Sequence, residues 1–253
     1  MKLIFLGSGS AFTVGDGNYQ SNMLLESENG KRLLIDCGTD ARFSLYELGF
    51  SYQDIQDVYI SHLHADHVGG LEWLALNTKF EPSGEKVCLH LCKSVNYSLW
   101  DHVLSGGLST ITGDVKNLSY YFKIDEIQED GSFTWEKIKF EIIRTKHVEA
   151  QEAQMPSYGL FFKINDQSIF ITTDTQFDLD TLQPYYEKAT IIFHDCETSE
   201  RKSGVHATYE ELKQLNEKTK QKMWLYHYHP GMLPDALADG FLGFVKKGQH
   251  FNF

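Results

Sequence analysis

The decapeptide SHLHADHVGG concentrates side chains that bind metal ions. Its ligand-type residues are His62, His64, Asp66 and His67, spaced as H-x-H-x-D-H. His62 and His64 alternate with one apolar residue, so an extended segment would point both side chains to the same side. Imidazole nitrogen and carboxylate oxygen together suit zinc, and also manganese or iron. We therefore interpret the stretch as part of a metal site rather than as a polar turn.

Further ligand-type residues follow apolar runs later in the chain. His147 ends FEIIRTKH, Asp174 ends IFITTD and His227 ends MWLYH. One metal ion takes about four ligands, so the first motif needs such additional partners. The end of a strand is a place where a sheet holds side chains rigidly. We expect these three residues to complete the site, with His229 as the alternative to His227 or as a residue lining the pocket.

The elements that must position these residues are short strands separated by helices. Apolar runs predict strands at KLIFLG, SNMLLES, RLLIDCG, DVYIS, KIKFEIIRTKH, SYGLFFKI, QSIFITTD and ATIIFHD, with KMWLYHYHP as the last one. Helical spacing predicts helices at GGLEWLALNTKF, SVNYSLWDHVL and TYEELKQLNEKTK. Strands in both halves with helices between them indicate two packed sheets with helices outside. No change in composition marks a linker, so we predict one domain over residues 1–253.

Composition narrows the partners and the compartment. The chain has 253 residues, a formal net charge of −12 and a hydrophobic fraction of 42%. An acidic chain has no general attraction for a polyanion, which counts against a long nucleic acid but not against a small phosphorylated ligand. No apolar run reaches membrane-spanning length, so we expect no membrane association. Four scattered cysteines and the lack of a signal-peptide core favour reduced thiols in the cytoplasm.

The ligand pattern, together with FLGSGSA and the LLIDCG strand with its Asp36, resembles the metallo-β-lactamase superfamily over nearly the whole chain. The resemblance implies an α/β fold, an αββα sandwich of two mixed β-sheets flanked by helices. It also implies two divalent metal ions, zinc or alternatively manganese. The first ion would be held by His62, His64 and His147, the second by Asp66, His67 and His227, and Asp174 would bridge them. The superfamily cleaves lactams, thioesters and phosphodiesters, so these residues do not identify the substrate.

Two later stretches, IIFHDCE and GVHATYEEL, resemble the transfer-RNA 3′-processing endonucleases and their phosphodiesterase relatives. This resemblance implies a catalytic pair in which Asp195 orients His206, and His206 protonates the leaving oxygen. That branch usually has glutamate where this chain has Asp195. The alternative for His206 is a residue that only precedes a helix capped by Thr208. We expect Asp66 to serve catalysis as well as metal binding.

Two departures from that branch favour a small substrate. The interval between His147 and Asp174 reads largely as two strands, which leaves no room for the long arm with which those endonucleases grip tRNA. The stretch YHYHPG lacks the serine and arginine that often follow the last histidine there. An endoribonuclease acting on tRNA 3′ ends remains the alternative function. A thioesterase, a lactamase and a protein that only sequesters a nucleotide are further alternatives.

The compact chain, the missing arm and the HLHADHVGGLEWL stretch resemble the phage anti-Pycsar proteins. The resemblance implies a homodimeric phosphodiesterase that hydrolyses 3′,5′-cyclic nucleotides, including cyclic CMP and cyclic UMP, to 5′-monophosphates. It would thereby counter an antiphage defence, acting in the host cytoplasm if the protein is encoded by a phage. We expect Leu104–Phe122, with its Gly/Ser/Thr opening and tyrosine pair, to be a loop that reaches the dimer partner's active site.

Substrate binding is the least constrained part of this prediction. Aromatic side chains stack on nucleobases with little dependence on the base. We expect Tyr19, Tyr120, Tyr121 and His229 to contact the substrate. Phe12 and Tyr158 are further candidates for stacking, but packing in the core is at least as good an interpretation of both.

Overall fold

Sixteen strands occur in the computed structural model, which describes residues 1–15, 17–82, 84–151 and 154–253. The first eight are β1 (Lys2–Phe5), β2 (Met23–Glu26), β3 (Arg32–Ile35), β4 (Asp57–Ile60), β5 (Cys88–Cys92), β6 (Thr110–Ile111), β7 (Asp114–Val115) and β8 (Lys123–Ile127). The others are β9 (Ser132–Trp135), β10 (Ile138–Glu149), β11 (Gln154–Ile164), β12 (Gln167–Ile171), β13 (Ile191–Asp195), β14 (Met223–Tyr226), β15 (Gly243–Phe244) and β16 (His250–Asn252).

These strands form two mixed seven-stranded sheets and one small hairpin. The first sheet has the order β16-β1-β2-β3-β4-β5-β8, the second β15-β14-β13-β12-β11-β10-β9, and β6 pairs with β7. Strands β3, β4, β5 and β8 are parallel, as are β12 to β15. Because the carboxyl ends of parallel strands meet at one edge, residues that follow them gather there. The predicted pair of mixed sheets is confirmed.

Helices cover both sheets. They are α1 (Ala41–Glu47), α2 (Ala65–Val68), α3 (Leu71–Lys79), α4 (Lys93–Ser98), α5 (Ser105–Leu108), α6 (Leu118–Tyr121), α7 (Leu179–Lys188), α8 (Tyr209–Leu212) and α9 (Glu217–Lys220), with a 3₁₀ turn at Tyr52–Asp54 and a π-helical segment at Leu99–Leu104. None of the helices in the described ranges combines the length and apolar character needed to cross a bilayer.

Alternating side chains in the second sheet build two apolar layers. Leu160 and Phe162 of β11 belong to the large core shared with the first sheet, whereas Phe161 packs into a second cluster with Leu182 of α7 and Leu212 of α8. Successive side chains of a strand point to opposite faces, so a strand covered on both sides is apolar throughout. The apolar run SYGLFFKI therefore marks a strand between two layers.

Three local predictions are wrong. Strand β14 is not the last one, because β15 and β16 follow, and β16 closes the first sheet against β1. The stretch TYEELKQLNEKTK is not one helix, since the Asn216 side chain accepts a hydrogen bond from the Thr219 N–H and starts α9 anew. Leu104–Phe122 is not a loop: it contains α5, the β6–β7 hairpin and α6.

Candidate metal centre and active site

The histidine motif begins where β4 ends, and the preceding residue anchors it. The Ser61 hydroxyl donates to Asp36 Oδ2 at 2.7 Å, and the Ser61 N–H donates to Asp36 Oδ1 at 2.8 Å. The loop after β3 also touches the motif, because a Cβ on Gly38 would lie 2.0 Å from the carbonyl oxygen of Asp66. Only glycine allows this approach. The loop and the short helix α2 therefore interlock and hold the motif in place.

Irregular backbone aims the remaining candidates into the site. The pairing of β10 with β11 shifts register between Thr145 and Val148, at the position of His147. Such a bulge redirects a side chain. Thr173, just before Asp174, has φ 53°, and His227 itself has φ 63°. Left-handed backbone costs about 1–3 kcal/mol at a residue other than glycine, and residues in such conformations cluster at functional sites.

Three imidazoles converge on one point. His64 Nδ1 lies 3.1 Å from His62 Nε2 and 3.0 Å from His147 Nε2. These three nitrogen atoms and Asp174 Oδ2 form one group whose members all lie within 4.8 Å of each other. Nitrogen atoms that each bind one zinc ion at about 2.1 Å are roughly 3.4 Å apart in a tetrahedron. The donor set therefore fits a metal ion.

A second group shares Asp174 with the first. Asp66 Oδ2 lies 3.1 Å from His67 Nε2 and 3.3 Å from His227 Nε2. Asp174 Oδ2 lies 3.2 Å from the His67 nitrogen and 3.5 Å from the His227 nitrogen. The same oxygen is 3.6 Å from His62 Nε2 in the first group. The structure thus brings all seven candidates together in two groups with Asp174 between them.

The other ring nitrogen of several histidines is fixed by the protein. His67 Nδ1 lies 2.7 Å from Asp36 Oδ2, His62 Nδ1 lies 3.0 Å from the Ser61 hydroxyl, and His147 Nδ1 donates to the Val205 carbonyl at 2.9 Å. Partners of this kind orient ligand imidazoles and select their tautomer. The sequence points to Asp36 only as part of the LLIDCG strand, and it does not predict the contacts of Ser61 and the Val205 carbonyl. A main-chain acceptor leaves no signal in the sequence.

The electrostatic environment suits neutral imidazole in the first group and ionised carboxylate at Asp174. In the second group burial lowers the pKa of His67 and His227, but the charge of Asp174 helps to outweigh burial and raises both. Burial lowers the pKa of His62 well below its usual range and lowers that of His147 to about 4. Burial alone would raise the pKa of Asp174, but the nearby charges of His227 and His67 outweigh it and hold that pKa well below its usual range. Neutral imidazoles and a carboxylate are the forms that bind divalent ions.

The pair predicted from the endonuclease branch lies beside these groups. His206 Nδ1 is 2.7 Å from Asp195 Oδ2, and Asp195 Oδ1 is 3.3 Å from His227 Nδ1. The ring centroids of His206 and His227 are 4.8 Å apart. Burial lowers the pKa of His206, but the Asp195 carboxylate more than offsets this, so the pKa is raised. Thr208 does cap α8, as the alternative interpretation required, yet His206 still faces the site.

The residues predicted to contact the substrate lie in different surroundings. His229 lies at the margin of the site, where its ring stacks on the exposed ring of Phe12 at a centroid distance of 6.1 Å. The Tyr19 hydroxyl donates to Glu47 Oε1 at 2.6 Å, on the surface. Tyr158 packs in the core. Of the two residues for which core packing was an equal alternative, only Tyr158 is buried.

The tyrosine pair lies away from the metal ligands of its own chain. Tyr120 packs under the ammonium group of Lys79, at the end of α3 opposite the histidine motif. Tyr121 is fully buried, and its hydroxyl donates to the Leu108 carbonyl at 2.7 Å. The expectation that Tyr121 stacks on a base is therefore wrong, because core residues cover its ring.

Comparisons of sequence agree over almost the full chain. The profile of the family described as "Anti-Pycsar protein Apyc1" matches residues 1–251. A protein of that name from Paenibacillus sp. (strain J14) is 34% identical over 252 residues, covering 98% of each chain. One from Bacillus phage 010DV004 is 33% identical over 261 residues, covering 99% of this chain and 98% of the relative.

Comparison of structure identifies the fold. The metallo-beta-lactamase fold protein YhfI from Bacillus subtilis superimposes with a TM-score of 0.75, covering 99% of this chain and 98% of that chain at 18% identity. Identity at that level shows the fold alone. The predicted metallo-β-lactamase sandwich is thus confirmed.

Proposed function

Because the chain belongs to the Apyc1 family of anti-Pycsar proteins, we propose that it is a phosphodiesterase that counters a host antiphage defence in the cytoplasm. Its substrates would be 3′,5′-cyclic nucleotides, including cyclic CMP and cyclic UMP, and its products nucleoside 5′-monophosphates. The observation that carries the proposal is the convergence of six ligand-type residues on Asp174, with the His206–Asp195 pair alongside.

The donor set supports two divalent ions. His62, His64 and His147 would hold one, and Asp66, His67 and His227 the other, with Asp174 shared. The number of imidazoles favours zinc, and manganese is the alternative. When bound, such ions supply a water-derived nucleophile at neutral pH and neutralise charge on a phosphate oxygen. Asp66 would contribute to catalysis by fixing the second ion.

His206 is well placed to act as the general acid. The hydrogen bond from Nδ1 to Asp195 leaves Nε2 as the ring nitrogen able to face the substrate. Hydrolysis of a 3′,5′-cyclic nucleotide to a 5′-monophosphate breaks the bond between phosphorus and O3′. The nucleophile adds to phosphorus, and O3′ leaves with its electron pair and takes a proton from Nε2. The raised pKa of His206 keeps that proton available near neutral pH.

A small substrate also agrees with the chain between His147 and Asp174. Strands β11 and β12 occupy the described part of this interval, and both lie inside the second sheet. The interval therefore holds no projecting arm for tRNA within the residues described. An endoribonuclease acting on tRNA 3′ ends is the rival outcome of the test below.

Product analysis tests the proposal. The purified protein, loaded with zinc or manganese, is incubated with cyclic CMP, UMP, AMP and GMP and with a tRNA precursor, beside a His64→Ala control. We expect linear 5′-monophosphates, no cleavage of the precursor, and loss of turnover in the control. Cleavage of the precursor alone would replace the proposal with RNA processing.

We also propose that the protein is a homodimer in which Leu104–Phe122 approaches the partner's site. Val115 on the β6–β7 hairpin is 76% exposed, which makes the hairpin the part of this segment most available to a second copy. Replacing residues 110–115 with a Gly-Ser linker should abolish nucleotide turnover and leave the metal content intact. A monomeric mass in light scattering, or a fully active linker variant, would contradict this proposal.

A further inference from the structure

An exposed aromatic ring stands at the edge of the metal centre. Phe12 is 77% exposed, although its loop is tightly tied down. One face of the ring stacks on His229, with an angle of 28° between the ring planes. Exposing a phenylalanine forgoes the stabilisation of roughly 1.5–3 kcal/mol that burial would supply. The open face of Phe12 is therefore available to a flat ligand.

Hydrogen bonds fix this loop against the segment that carries a metal ligand. The His227 N–H donates to the Ser8 carbonyl at 2.8 Å, and the Ser10 N–H donates to the Tyr228 carbonyl at 2.9 Å. The Thr13 N–H then donates to the Ser10 carbonyl at 3.0 Å and closes a turn around Phe12. The position of the Phe12 ring relative to the metal centre is thus set by main-chain contacts.

A cavity of about 320 Å³ lies beside His229. Thr13, Asn18, Tyr228, His229 and Lys246 are among the residues that line it. His229 follows the ligand His227 by two residues, so their Cα atoms lie at most about 7 Å apart. The stacked pair is therefore within the span from the phosphate to the base of a nucleotide. His229 Nδ1 is buried and lacks a hydrogen-bond partner within the described ranges.

We propose that Phe12 and His229 form the nucleobase subsite of this centre, a step that rests on the proposed function. The base stacks on the open face of Phe12, and His229 supports that ring from behind. The cyclic phosphate lies at the metal ligands, and the ribose spans the distance between the ring and those ligands. Phe12 then contributes to binding of the nucleoside and not to the chemistry at phosphorus.

Two substrates separate these contributions. The cyclic nucleotides test the subsite, and the 3,5-cyclic phosphate of 1,4-anhydroribitol, which keeps the cyclic phosphodiester but has no base, tests the metal centre. The Phe12→Ala variant loses the stacking contact, so its KM for cyclic nucleotides should be about 10-fold or more above that of the wild type. The ratio of kcat/KM for cyclic CMP to that for the base-free diester should therefore fall by about the same factor. Phe80→Ala removes another exposed ring, at the end of α3, and should leave the ratio unchanged.

Each result has one meaning. Wild-type protein that hydrolyses neither substrate class refutes the proposed function itself. Wild-type protein that hydrolyses cyclic nucleotides, with an unchanged ratio in Phe12→Ala, overturns the subsite and leaves the function standing. An equal loss on both substrates, with a change of mass in light scattering, would assign Phe12 to a contact between copies of the chain and also overturn the subsite. His229→Ala should lower the same ratio, by less than Phe12→Ala.

Discussion

Strand β4 carries a histidine–carboxylate cluster beyond each of its ends. The metal cluster, built on the ligands around Asp174, follows its carboxyl end. The clamp cluster lies at its amino end and consists of Asp57, Cys88, His90 and Asp125. Asp57 and His62 are five residues apart, roughly 16 Å along the strand. The two clusters use similar residue types in one sheet, yet their ring nitrogens face different atoms.

In the clamp cluster every ring nitrogen has a carboxylate. His90 Nδ1 lies 2.8 Å from Asp125 and Nε2 lies 2.8 Å from Asp57, whose other oxygen accepts the Trp135 indole N–H at 3.1 Å. The ring also stacks on Phe133 at 4.5 Å. Burial lowers the pKa of His90, but hydrogen bonds to Asp57, Cys88 and Asp125 outweigh it and raise that pKa to about 10. His90 is therefore a protonated link between strands.

In the first group of the metal cluster, His62, His64 and His147 face each other instead. His64 Nδ1 lies 3.1 Å from His62 Nε2 and 3.0 Å from His147 Nε2. No single hydrogen atom can form good hydrogen bonds with all three nitrogen atoms. The pKa of His147, lowered to about 4, stands against about 10 for His90. Donor types alone do not identify a metal site, since Asp57, Cys88 and His90 also lie within 4.8 Å of one another. What distinguishes the clamp cluster from the first metal group is whether carboxylates of the protein face the ring nitrogens.

Removing one carboxylate from each cluster should give the largest difference in metal content and activity between the two clusters. Asp174→Ala should reduce bound metal from the proposed two ions per chain to fewer than one and lower turnover at least about 1,000-fold, because both groups share this oxygen. Metal analysis and turnover of cyclic CMP measure these effects. Asp57→Ala should keep the metal content and the activity of its folded fraction. Loss of metal from Asp57→Ala would show that the clamp cluster also supports metal binding and is not separate from the metal cluster.

Within the active site, His206→Ala separates proton transfer from metal binding. It should lower kcat for cyclic nucleotides by about 100- to 10,000-fold with an unchanged metal content. Bis(p-nitrophenyl) phosphate should lose much less, because p-nitrophenolate departs without a proton. An equal decrease in kcat on both substrates would show that His206 is not the general acid. His102→Ala, at an exposed histidine, serves as the control.

The metal cluster was largely predictable from the sequence, because four of its ligands lie within six residues and Asp174 and His227 follow apolar strands. Parallel strands bring residues that follow them to one edge, whereas His147 lies within the antiparallel strand β10 and reaches the site at its bulge. The clamp cluster was not predictable. Asp57, His90 and Asp125 come from three strands, and only the register of the sheet brings them together. None of them stands in a motif.

The failures have the same origin in tertiary contacts. The tyrosine pair suggested stacking on a ligand, but α6 packs against α3 and turns Tyr121 into the core. The sequence also did not predict that Phe12 is exposed, because its loop is fixed by main-chain hydrogen bonds to Tyr228, which is far away in sequence. Strands β15 and β16 are short, and their sequences show no clear strand pattern. They are recognised as strands only because β15 pairs with β14 and β16 pairs with β1 in the structure.

Removing the histidine of the clamp cluster should affect stability rather than function. His90→Leu leaves Asp57 without its cationic partner, and breaking a fully buried pair costs about 3–5 kcal/mol. Asp125 is half-exposed, so we expect roughly 2–3 kcal/mol less free energy of unfolding, measured with urea. Metal content and kcat should match the wild type, and His102→Leu should change neither quantity. A stable His90→Leu variant that loses metal would assign the clamp cluster to the active site.

The smallest expected effect is the pH dependence of that difference. The pKa of His90 is about 10 in the folded chain and about 6.5 in the unfolded chain, so folding favours proton uptake. The stabilisation is complete below pH 6.5 and is lost as the pH rises through 10. The gap in unfolding free energy between wild type and His90→Leu should therefore shrink steadily from pH 7 to pH 10. Other groups titrate in both proteins and cancel in this difference. A gap that stays constant over this range would mean that His90 acts by packing on Phe133 and not by its charge.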